Sequence, residues 1–251
     1  MDPPVLSPIQ LQHISTYIDI LLRWNARVNL TAIRDPEEIV TRHFGESLFA
    51  ASHLFPVPAP VSPVSSVVKA LGSTIDVDSE RKEASAPANV LNENLFVSTR
   101  STLADIGSGA GFPGLPIKLW APHISVTLIE SNHKKAAFLR EVTRALTLTD
   151  VNIQTARAET LTGSAYDVVT LRAVEHFESI LLTAAALVAP AGRLALLIGA
   201  PQVNQARSTL PGFTWSEPVP IPHSRARVLL IGNQPSNKWT KDPIGRPLQV
   251  A

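Results

Sequence analysis

The sequence has no cysteine and almost no net charge, and both absences exclude classes of function. Without cysteine, the chain can form no disulfide, no thiolate metal site and no cysteine nucleophile. Its formal net charge is +1, whereas proteins that bind nucleic acid through their overall field are far more basic. Any contact with nucleic acid must therefore depend on basic side chains that the fold brings together locally.

The chain also lacks an uninterrupted apolar segment that could cross a membrane. Its most apolar stretch, residues 180–200, contains Pro190, Gly192 and Arg193, which favours a buried helix followed by a buried strand. The first residues, MDPP, lack the basic and then apolar order of a signal peptide. We therefore expect no membrane partner and a cytoplasmic location.

The chain length suits one well-buried α/β domain with an appendage, or two small domains, because 45% of the 251 residues are hydrophobic. Residues 1–55 are predicted to form an N-terminal helical extension. SPIQ at residues 7–10 and DPEE at residues 35–38 are both typical helix starts, and apolar residues follow each at helical spacing. Asn29, between the two helices, is predicted to fix the turn.

Two segments show no periodic pattern. Residues 56–100 are rich in proline, serine and alanine, which predicts a poorly ordered insertion, and residues 234–251 form a polar tail. Between them, residues 101–233 alternate strands with helices, which predicts a mostly parallel sheet covered on both faces. Strands are predicted at residues 102–106, 125–130, 151–154, 166–171, 194–198, 213–219 and 227–231, and helices at 115–120, 134–146 and 180–188. The last two strands form a hairpin, so the final strand is predicted to run antiparallel.

The strongest local signal is the glycine-rich segment DIGSGAGFPG at residues 105–114. It follows the first predicted strand of the sheet and precedes a helix, where open α/β sheets bind ligands. Glycines at alternate positions allow positive φ and a close approach of the backbone to a ligand. We therefore interpret the segment as a cofactor loop.

The loop is compatible with two cofactor classes. Gly109, Gly111 and Gly114 match the G-x-G-x-x-G pattern of dinucleotide-binding domains. Asp105, however, would face a diphosphate unfavourably and suits a ligand with an amino or sulfonium cation, as in S-adenosylmethionine. Glu130, at the end of the next strand, can accept hydrogen bonds from the ribose hydroxyls of either cofactor.

Two further features bear on the choice. Ala158 and Glu159 follow the third strand of the sheet, where backbone amides can contact an adenine edge. The antiparallel hairpin at the end of the sheet is typical of methyltransferase sheets, whereas dinucleotide-binding domains usually end on a parallel strand. The hairpin therefore favours S-adenosylmethionine.

Several motifs resemble one known family. The segments are WN-x-x-x-NLT at residues 24–31, RH-x-x-x-SL at 42–48, DIGSGAGFPGLP at 105–116, ES-x-x-KK-x-x-FL at 130–139, RAE at 157–159 and RA at 172–173. Together they resemble the ribosomal RNA small-subunit methyltransferase G family, also called glucose-inhibited division protein B. The resemblance covers roughly residues 11–54 and 103–233, and the FPG-x-P ending of the loop is its most specific motif.

The resemblance implies a fold and an activity. The fold is a Rossmann-like class I S-adenosylmethionine methyltransferase, with a mostly parallel seven-stranded sheet, an antiparallel C-terminal hairpin and an N-terminal helical extension. The activity is methylation of N7 of one guanine in 16S ribosomal RNA, with the 30S subunit as partner and S-adenosylmethionine as donor. We expect a monomer, and no metal, because N7 carries a lone pair and no proton and needs no metal or general base.

The resemblance also assigns roles to residues of this sequence. Arg172, which ends an apolar strand, is expected at the reacting site as a catalytic and cofactor-binding residue. The other expected cofactor-binding residues are Asp105, Gly107, Ser108, Gly109, Gly111, Phe112, Glu130, Ala158 and Glu159. The expected RNA-binding residues are Arg42, His43, Lys134, Lys135 and Arg157.

The sequence departs from the family pattern at three places. Ile198 precedes Gly199 where the family usually has lysine, Glu46 replaces the usual aspartate, and residues 56–100 form an unusual insertion. These departures concern the RNA-contact surface more than the cofactor loop. The alternatives that remain are a methyltransferase with another substrate, a non-catalytic binding module and an NAD-dependent oxidoreductase.

Overall fold

The computed structural model describes residues 6–56, 100–161, 163, 165–172, 176–224 and 226–236. Most of the predicted insertion, and the tail after residue 236, lie outside the described residues. The described helices before residue 56 and the sheet after residue 100 belong to one unit with a shared hydrophobic core. Within the described residues, no helix is long and apolar enough to cross a membrane.

The N-terminal region is helical, as predicted. Helix α1 (Pro8–Asn25) begins with the predicted capping box, in which the Ser7 hydroxyl accepts from the Gln10 amide and the Gln10 side chain accepts from the Ser7 amide. Helix α2 (Pro36–Glu38) is capped by Asp35 and continues through a π-helix (Ile39–Gly45) into helix α3 (Glu46–Leu54).

The sheet contains strands β1 (Thr102–Ile106), β2 (Ser125–Ile129), β3 (Val151–Gln154), β4 (Tyr166–Arg172), β5 (Val188–Gly199), β6 (Thr214–Trp215), β7 (Val219–Pro220) and β8 (Arg227–Asn233). Its order is β3-β2-β1-β4-β5-β8-β6, and β7 also pairs with β8. The first five strands are parallel, and β8 runs antiparallel to β5, which confirms the predicted reversal. This is the seven-position order of a Rossmann-like methyltransferase sheet, with β6 and β7 sharing the last position.

Helices cover both faces of the sheet. The remaining helices are α4 (Gly114–Trp120), α5 (His133–Ala145), α6 (Phe177–Leu187) and α7 (Gln202–Thr209), with a 3-10 turn at Ala158–Thr160. The N-terminal helices, α4 and α5 pack with alternate strand residues such as Leu103 and Val168 into one buried cluster. The opposite strand faces pack with α6 and α7 into a second cluster.

The structure departs from the sequence prediction at the end of the sheet. The strand predicted at residues 213–219 is two short strands, β6 and β7, because Pro218, in the gap between them, has no amide hydrogen to donate to the ladder with β8. Strand β5 begins at Val188, six residues before its prediction, and helix α7 was not predicted.

Candidate cofactor site at the carboxyl ends of the parallel strands

The glycine loop after β1 turns its backbone amides inward. Gly107, Gly109 and Gly111 all have positive φ, at 67°, 55° and 86°, a conformation that glycine adopts without steric penalty. The Gly107 and Ser108 amides donate to the Ile129 carbonyl at 2.9 and 3.1 Å. The Gly109 amide donates to Glu130 Oε2 at 2.8 Å. The loop is thus tied to the end of β2.

This arrangement argues against a dinucleotide. A pyrophosphate binds to free backbone amides of such a loop and to the helix N-terminus behind it. Here the Gly107 and Gly109 amides already have partners, and the partner of Gly109 is itself an anion, the Glu130 carboxylate. The Gly114 amide, at the start of α4, donates to Asp105 Oδ2 at 3.2 Å. A phosphate would meet two carboxylates and amides that already have partners.

Asp105 lies beneath the loop, with only 1% of its surface exposed. Oδ1 accepts from the Thr170 hydroxyl of β4 at 2.8 Å, and Oδ2 accepts from the Gly114 amide. Burial raises the pKa of Asp105 to about 6, against the opposing effect of hydrogen bonds from Thr170, Ser108 and Gly114. Asp105 therefore joins β1, β4 and the start of α4, and places a titratable carboxylate directly under the crevice.

Glu130 holds the opposite side of the loop. Its Oε1 accepts from the Asn132 amide at 2.7 Å while Oε2 accepts from Gly109. Each carboxylate oxygen has a second lone pair, so both can still accept from vicinal ribose hydroxyls. A Cβ atom built on Gly109 would meet nothing nearer than the Gly107 carbonyl, 3.7 Å away. The surface above Gly109 is therefore open to a ligand, and the residues fit an adenosine cofactor without phosphates.

The second half of the loop faces the protein interior. A Cβ atom on Gly111 would overlap the Tyr17 hydroxyl and lie 2.7 Å from Leu115, and the Tyr17 hydroxyl donates to the Ala110 carbonyl. The Phe112 ring stacks on Tyr17 with ring centres 5.4 Å apart. Ser108 is buried, with its hydroxyl donating to the Asp105 carbonyl. These predicted cofactor residues thus support the loop from below.

The adenine position is defined less closely. Ala158 is buried and Glu159 exposed, and both lie in the 3-10 turn that follows β3. Because β3 is next to β2 in the sheet, this turn lies beside the end of β2 that carries Glu130. Their predicted role as cofactor contacts stays a prediction.

Arg172, at the end of β4, is joined to the N-terminal helices. Its Nε and Nη2 donate to Glu46 Oε2 at 3.1 and 2.9 Å, and Nη2 also donates to the Arg42 carbonyl at 3.0 Å. The side chains of Arg172 and Glu46 are only 9% and 3% exposed. In the structure the guanidinium is a buried partner of Glu46, and the predicted catalytic and cofactor-binding role of Arg172 stays a prediction.

His43 lies beneath the surface instead of on the predicted RNA-facing side. Its Nδ1 accepts from Arg172 at 3.0 Å, because guanidinium only donates. Nε2 therefore carries the proton and donates to the Thr31 hydroxyl at 2.8 Å. The ring stacks on Phe112 at 4.7 Å between centres. His43 thus connects the cofactor loop to Arg172.

We expect the His43 ring to remain neutral in the folded protein at every pH above about 4. Burial, with Arg172, Arg42 and Arg227 nearby, lowers its pKa from 6.5 to about 3. The unfolded chain therefore binds a proton that the folded chain does not bind until about pH 3. The contribution of His43 to stability is present above pH 6.5 and is lost as the pH falls towards 3.

An NMR titration of the ring protons tests this expectation. The His43 signals should not move between pH 8 and about pH 5, while the same chain in urea should titrate near the ordinary histidine value. A His43 signal that titrates near pH 6.5 in the folded protein would contradict the buried, neutral state.

The other predicted RNA-binding side chains lie at the surface. Arg42 is exposed and pairs with Glu38 at 2.8 Å, and Lys134 and Arg157 are exposed while Lys135 is half-buried. They follow the carboxyl ends of β2 and β3 or lie beside the end of β4, on the same edge as the glycine loop. Their contact with RNA remains a prediction.

The sequence analysis missed several residues that shape the site. Asn25, and not Asn29, fixes the turn after α1: its Oδ1 accepts from the Leu30 and Thr31 amides at 2.9 and 3.0 Å. Asn29 is exposed. Glu46 also lies 3.5 Å from Arg227 Nε, so one carboxylate serves two arginines. The signal available in the sequence was an acidic residue inside the RH-x-x-x-SL segment.

Metal ligation has no support in the part of the chain that the structure describes. Those residues contain no group of three or more histidine or acidic side chains that could hold a metal ion. The site is instead built from a glycine loop, two carboxylates and a buried ion-pair cluster.

Comparison with known proteins identifies the family. A sequence model described as rRNA small subunit methyltransferase G matches residues 10–56 and 88–217. The chain is 36% identical over 234 residues to Ribosomal RNA small subunit methyltransferase G of Roseiflexus sp. (strain RS-1), covering 88% of this chain and 82% of that protein. It is 34% identical over 238 residues to the protein of the same name in Chloroflexus aggregans (strain MD-66 / DSM 9485), covering 90% and 82%. The chain belongs to the rRNA small subunit methyltransferase G family.

Proposed function

We propose that this protein transfers a methyl group from S-adenosylmethionine to N7 of a guanine in 16S ribosomal RNA. It acts as a monomer in the bacterial cytoplasm, with the 30S subunit as its partner. The observation that carries the proposal is the family match, which includes the N-terminal helices, the glycine loop and Glu130. The loop geometry supports the choice of cofactor, because it offers carboxylates where a dinucleotide needs free amides.

The residues at the site bind and orient the reactants. S-adenosylmethionine supplies an electrophilic methyl group whose bonding electrons stay with sulfur as S-adenosylhomocysteine leaves. Glu130 would accept hydrogen bonds from the ribose hydroxyls, and the buried Asp105 carboxylate beneath the loop would stabilise a cationic amino or sulfonium group through its negative charge. Gly109 leaves room for the ligand against the backbone.

The acceptor atom needs little chemical activation. Guanine N7 is a lone-pair acceptor on the Hoogsteen edge and carries no proton, so no side chain has to remove one. The protein contributes the in-line placement of N7 and the exclusion of water. This agrees with the neutral, fully bonded state of His43, which has no free lone pair to act as a base.

Binding of the large RNA requires positive charge at the same edge. Arg42, Lys134, Lys135 and Arg157 are the predicted phosphate contacts. Because the net charge of the chain is only +1, we assign the attraction for RNA to these four side chains. Arg172 acts here as a positioning residue, since its guanidinium joins β4 to Glu46.

Methyl transfer to 30S subunits from cells that lack this gene tests the proposal. We expect purified protein with radiolabelled S-adenosylmethionine to label the 16S RNA, and nucleoside mass spectrometry to find one 7-methylguanosine. Subunits from cells that have the gene are the control and should accept no label. Calorimetry should detect tight binding of S-adenosylhomocysteine and none of NADH.

Three results would contradict the proposal. Tight NADH binding would favour the oxidoreductase alternative, and S-adenosylhomocysteine binding without transfer to any RNA would favour a binding module or another substrate. Label on a ribosomal protein instead of RNA would show that the methyl acceptor is a protein.

A further inference from the structure

A small cavity opens at the carboxyl ends of β4 and β5. It has a volume of about 180 Å³, and its apolar walls are Leu171, Phe177 and Ile198. The polar residues Arg172, Gln202 and Arg227 also line it. Typical sites for drug-sized ligands are larger, from about 300 Å³ upward. The cavity therefore has the scale of a single ring system.

The cavity is next to the cofactor loop. Leu171 of β4 pairs in register with Ile106 of β1, and Ile106 directly precedes Gly107. Strand β4 lies between β1 and β5, and neighbouring strands are about 4.8 Å apart. A ring in the cavity would therefore lie at the same carboxyl edge of the sheet as a ligand on the loop, on the β4 side of β1.

The polar groups of the cavity are oriented by protein contacts. Gln202 Oε1 accepts from the Gly199 amide at 3.0 Å. This hydrogen bond fixes the carboxamide, and Nε2 lies on the side of the carboxamide opposite to Oε1. No described residue accepts a hydrogen bond from Nε2. Arg227 Nη2 donates to the Leu197 carbonyl at 2.9 Å. The cavity thus presents hydrogen-bond donors, while its nearby carboxylate, Glu46, is paired with two arginines.

We propose that this cavity receives the target guanine and that the Gln202 carboxamide donates a hydrogen bond to its O6. The inference rests on the proposed function and adds a base-specificity residue to it. Enzymes that modify a base take it out of its stack into a snug pocket with apolar walls. Leu171, Phe177 and Ile198 provide those walls.

The donor character of the cavity selects the base. On the Hoogsteen edge, guanine presents two acceptors, N7 and O6, whereas adenine presents a donor, N6, beside N7. A carboxamide that donates to O6 leaves the neighbouring N7 free for the methyl group. The same Nε2 group would oppose the amino group of adenine. Gln202 therefore distinguishes a 6-oxopurine from a 6-aminopurine.

Two substitutions of Gln202 and one control test the assignment. Gln202→Glu keeps the acceptor for the Gly199 amide and removes the donor, so that the fold is preserved and O6 faces a carboxylate. Gln202→Ala removes both contacts. Gln205→Ala is the matched control, because Gln205 is exposed on the same helix. Each variant is measured for kcat/KM on unmodified 30S subunits, for the Kd of S-adenosylhomocysteine and for its thermal midpoint.

We expect Gln202→Glu to lower kcat/KM for 30S subunits by roughly tenfold or more, about the effect of one lost hydrogen bond or more. The Kd of S-adenosylhomocysteine and the thermal midpoint should stay near the wild-type values. Gln202→Ala should lower kcat/KM similarly, and Gln205→Ala should leave it unchanged.

Each other outcome overturns the assignment in a recognisable way. If both Gln202 variants match Gln205→Ala while wild type makes 7-methylguanosine, the cavity is not the base site and the proposed function stands. If Gln202→Glu is active and Gln202→Ala is not, the acceptor for the Gly199 amide carries the effect, and donation from Gln202 to O6 is excluded. Weaker S-adenosylhomocysteine binding in both variants would assign Gln202 to the cofactor. A wild-type protein that transfers no methyl group to 30S subunits would contradict the proposed function itself.

Discussion

Replacing Glu46 with alanine is expected to lower the free energy of unfolding by about 3–5 kcal/mol. Glu46 is 3% exposed at its side chain and lies within 2.9 Å of Arg172 and 3.5 Å of Arg227. Removal of the carboxylate leaves two guanidinium groups in a partly buried cluster without their shared counter-charge. Breaking one side of a buried pair is far more damaging than replacing the pair, because the remaining charge is uncompensated.

Glu38→Ala is the matched control for this prediction. Glu38 also pairs with an arginine, Arg42 at 2.8 Å, but the two side chains are 49% and 46% exposed. Such pairs contribute about 1 kcal/mol or less. Urea denaturation of both variants gives the comparison, and equal loss of stability in the two would show that the Glu46 cluster is not a structural ion pair.

The ion-pair cluster of Glu46, Arg172 and Arg227 also shows what the sequence could not predict. Arg172 and Glu46 are 126 residues apart in the chain, and no local pattern links them. The predicted end of β4, residue 171, is one residue short of the observed end at Arg172, and the edge on which Arg172 lies follows from the parallel topology. The buried partner depends on how the N-terminal helices pack on that edge, which is a tertiary effect that periodicity does not encode.

The sequence predicted helix starts and strands well where these depend only on neighbouring residues. The capping box at Ser7 and the strands at Thr102–Ile106 and Val151–Gln154 agree with the structure, because capping and burial are decided by neighbouring residues. The single strand predicted at residues 213–219 is wrong because Pro218 interrupts the ladder between β6 and β7. The turn after α1 was assigned to Asn29, since both asparagines of the motif suit a turn and only packing favours Asn25.

Within the glycine loop, too, the sequence could not predict which residues contact the core. The alternation of glycines predicted a ligand loop, but the sequence does not distinguish a glycine that faces the ligand from one that faces the core. Gly109 has open space above it, whereas Gly111 is in contact with Tyr17 of α1. The difference arises because Tyr17 of α1 packs against the second half of the loop, at Ala110 and Phe112.

Alanine substitutions at Gly109 and Gly111 should therefore separate cofactor binding from stability. At Gly109 the added methyl group meets nothing in the free protein, so stability should fall by only about 1–2 kcal/mol for an alanine at positive φ. The same methyl group enters the space that we assign to the cofactor. A crowding penalty of about 1–3 kcal/mol corresponds to a roughly 5- to 150-fold weaker Kd for S-adenosylhomocysteine.

Gly111→Ala should show the opposite balance. The methyl group would overlap the Tyr17 hydroxyl and approach Leu115 at 2.7 Å, at a φ of 86°, so stability should fall by about 2–5 kcal/mol. Calorimetry below the unfolding temperature and urea denaturation measure the two effects separately. If Gly109→Ala binds S-adenosylhomocysteine as tightly as wild type, the ligand does not approach the loop at Gly109, and the cofactor has to be placed elsewhere along the strand ends.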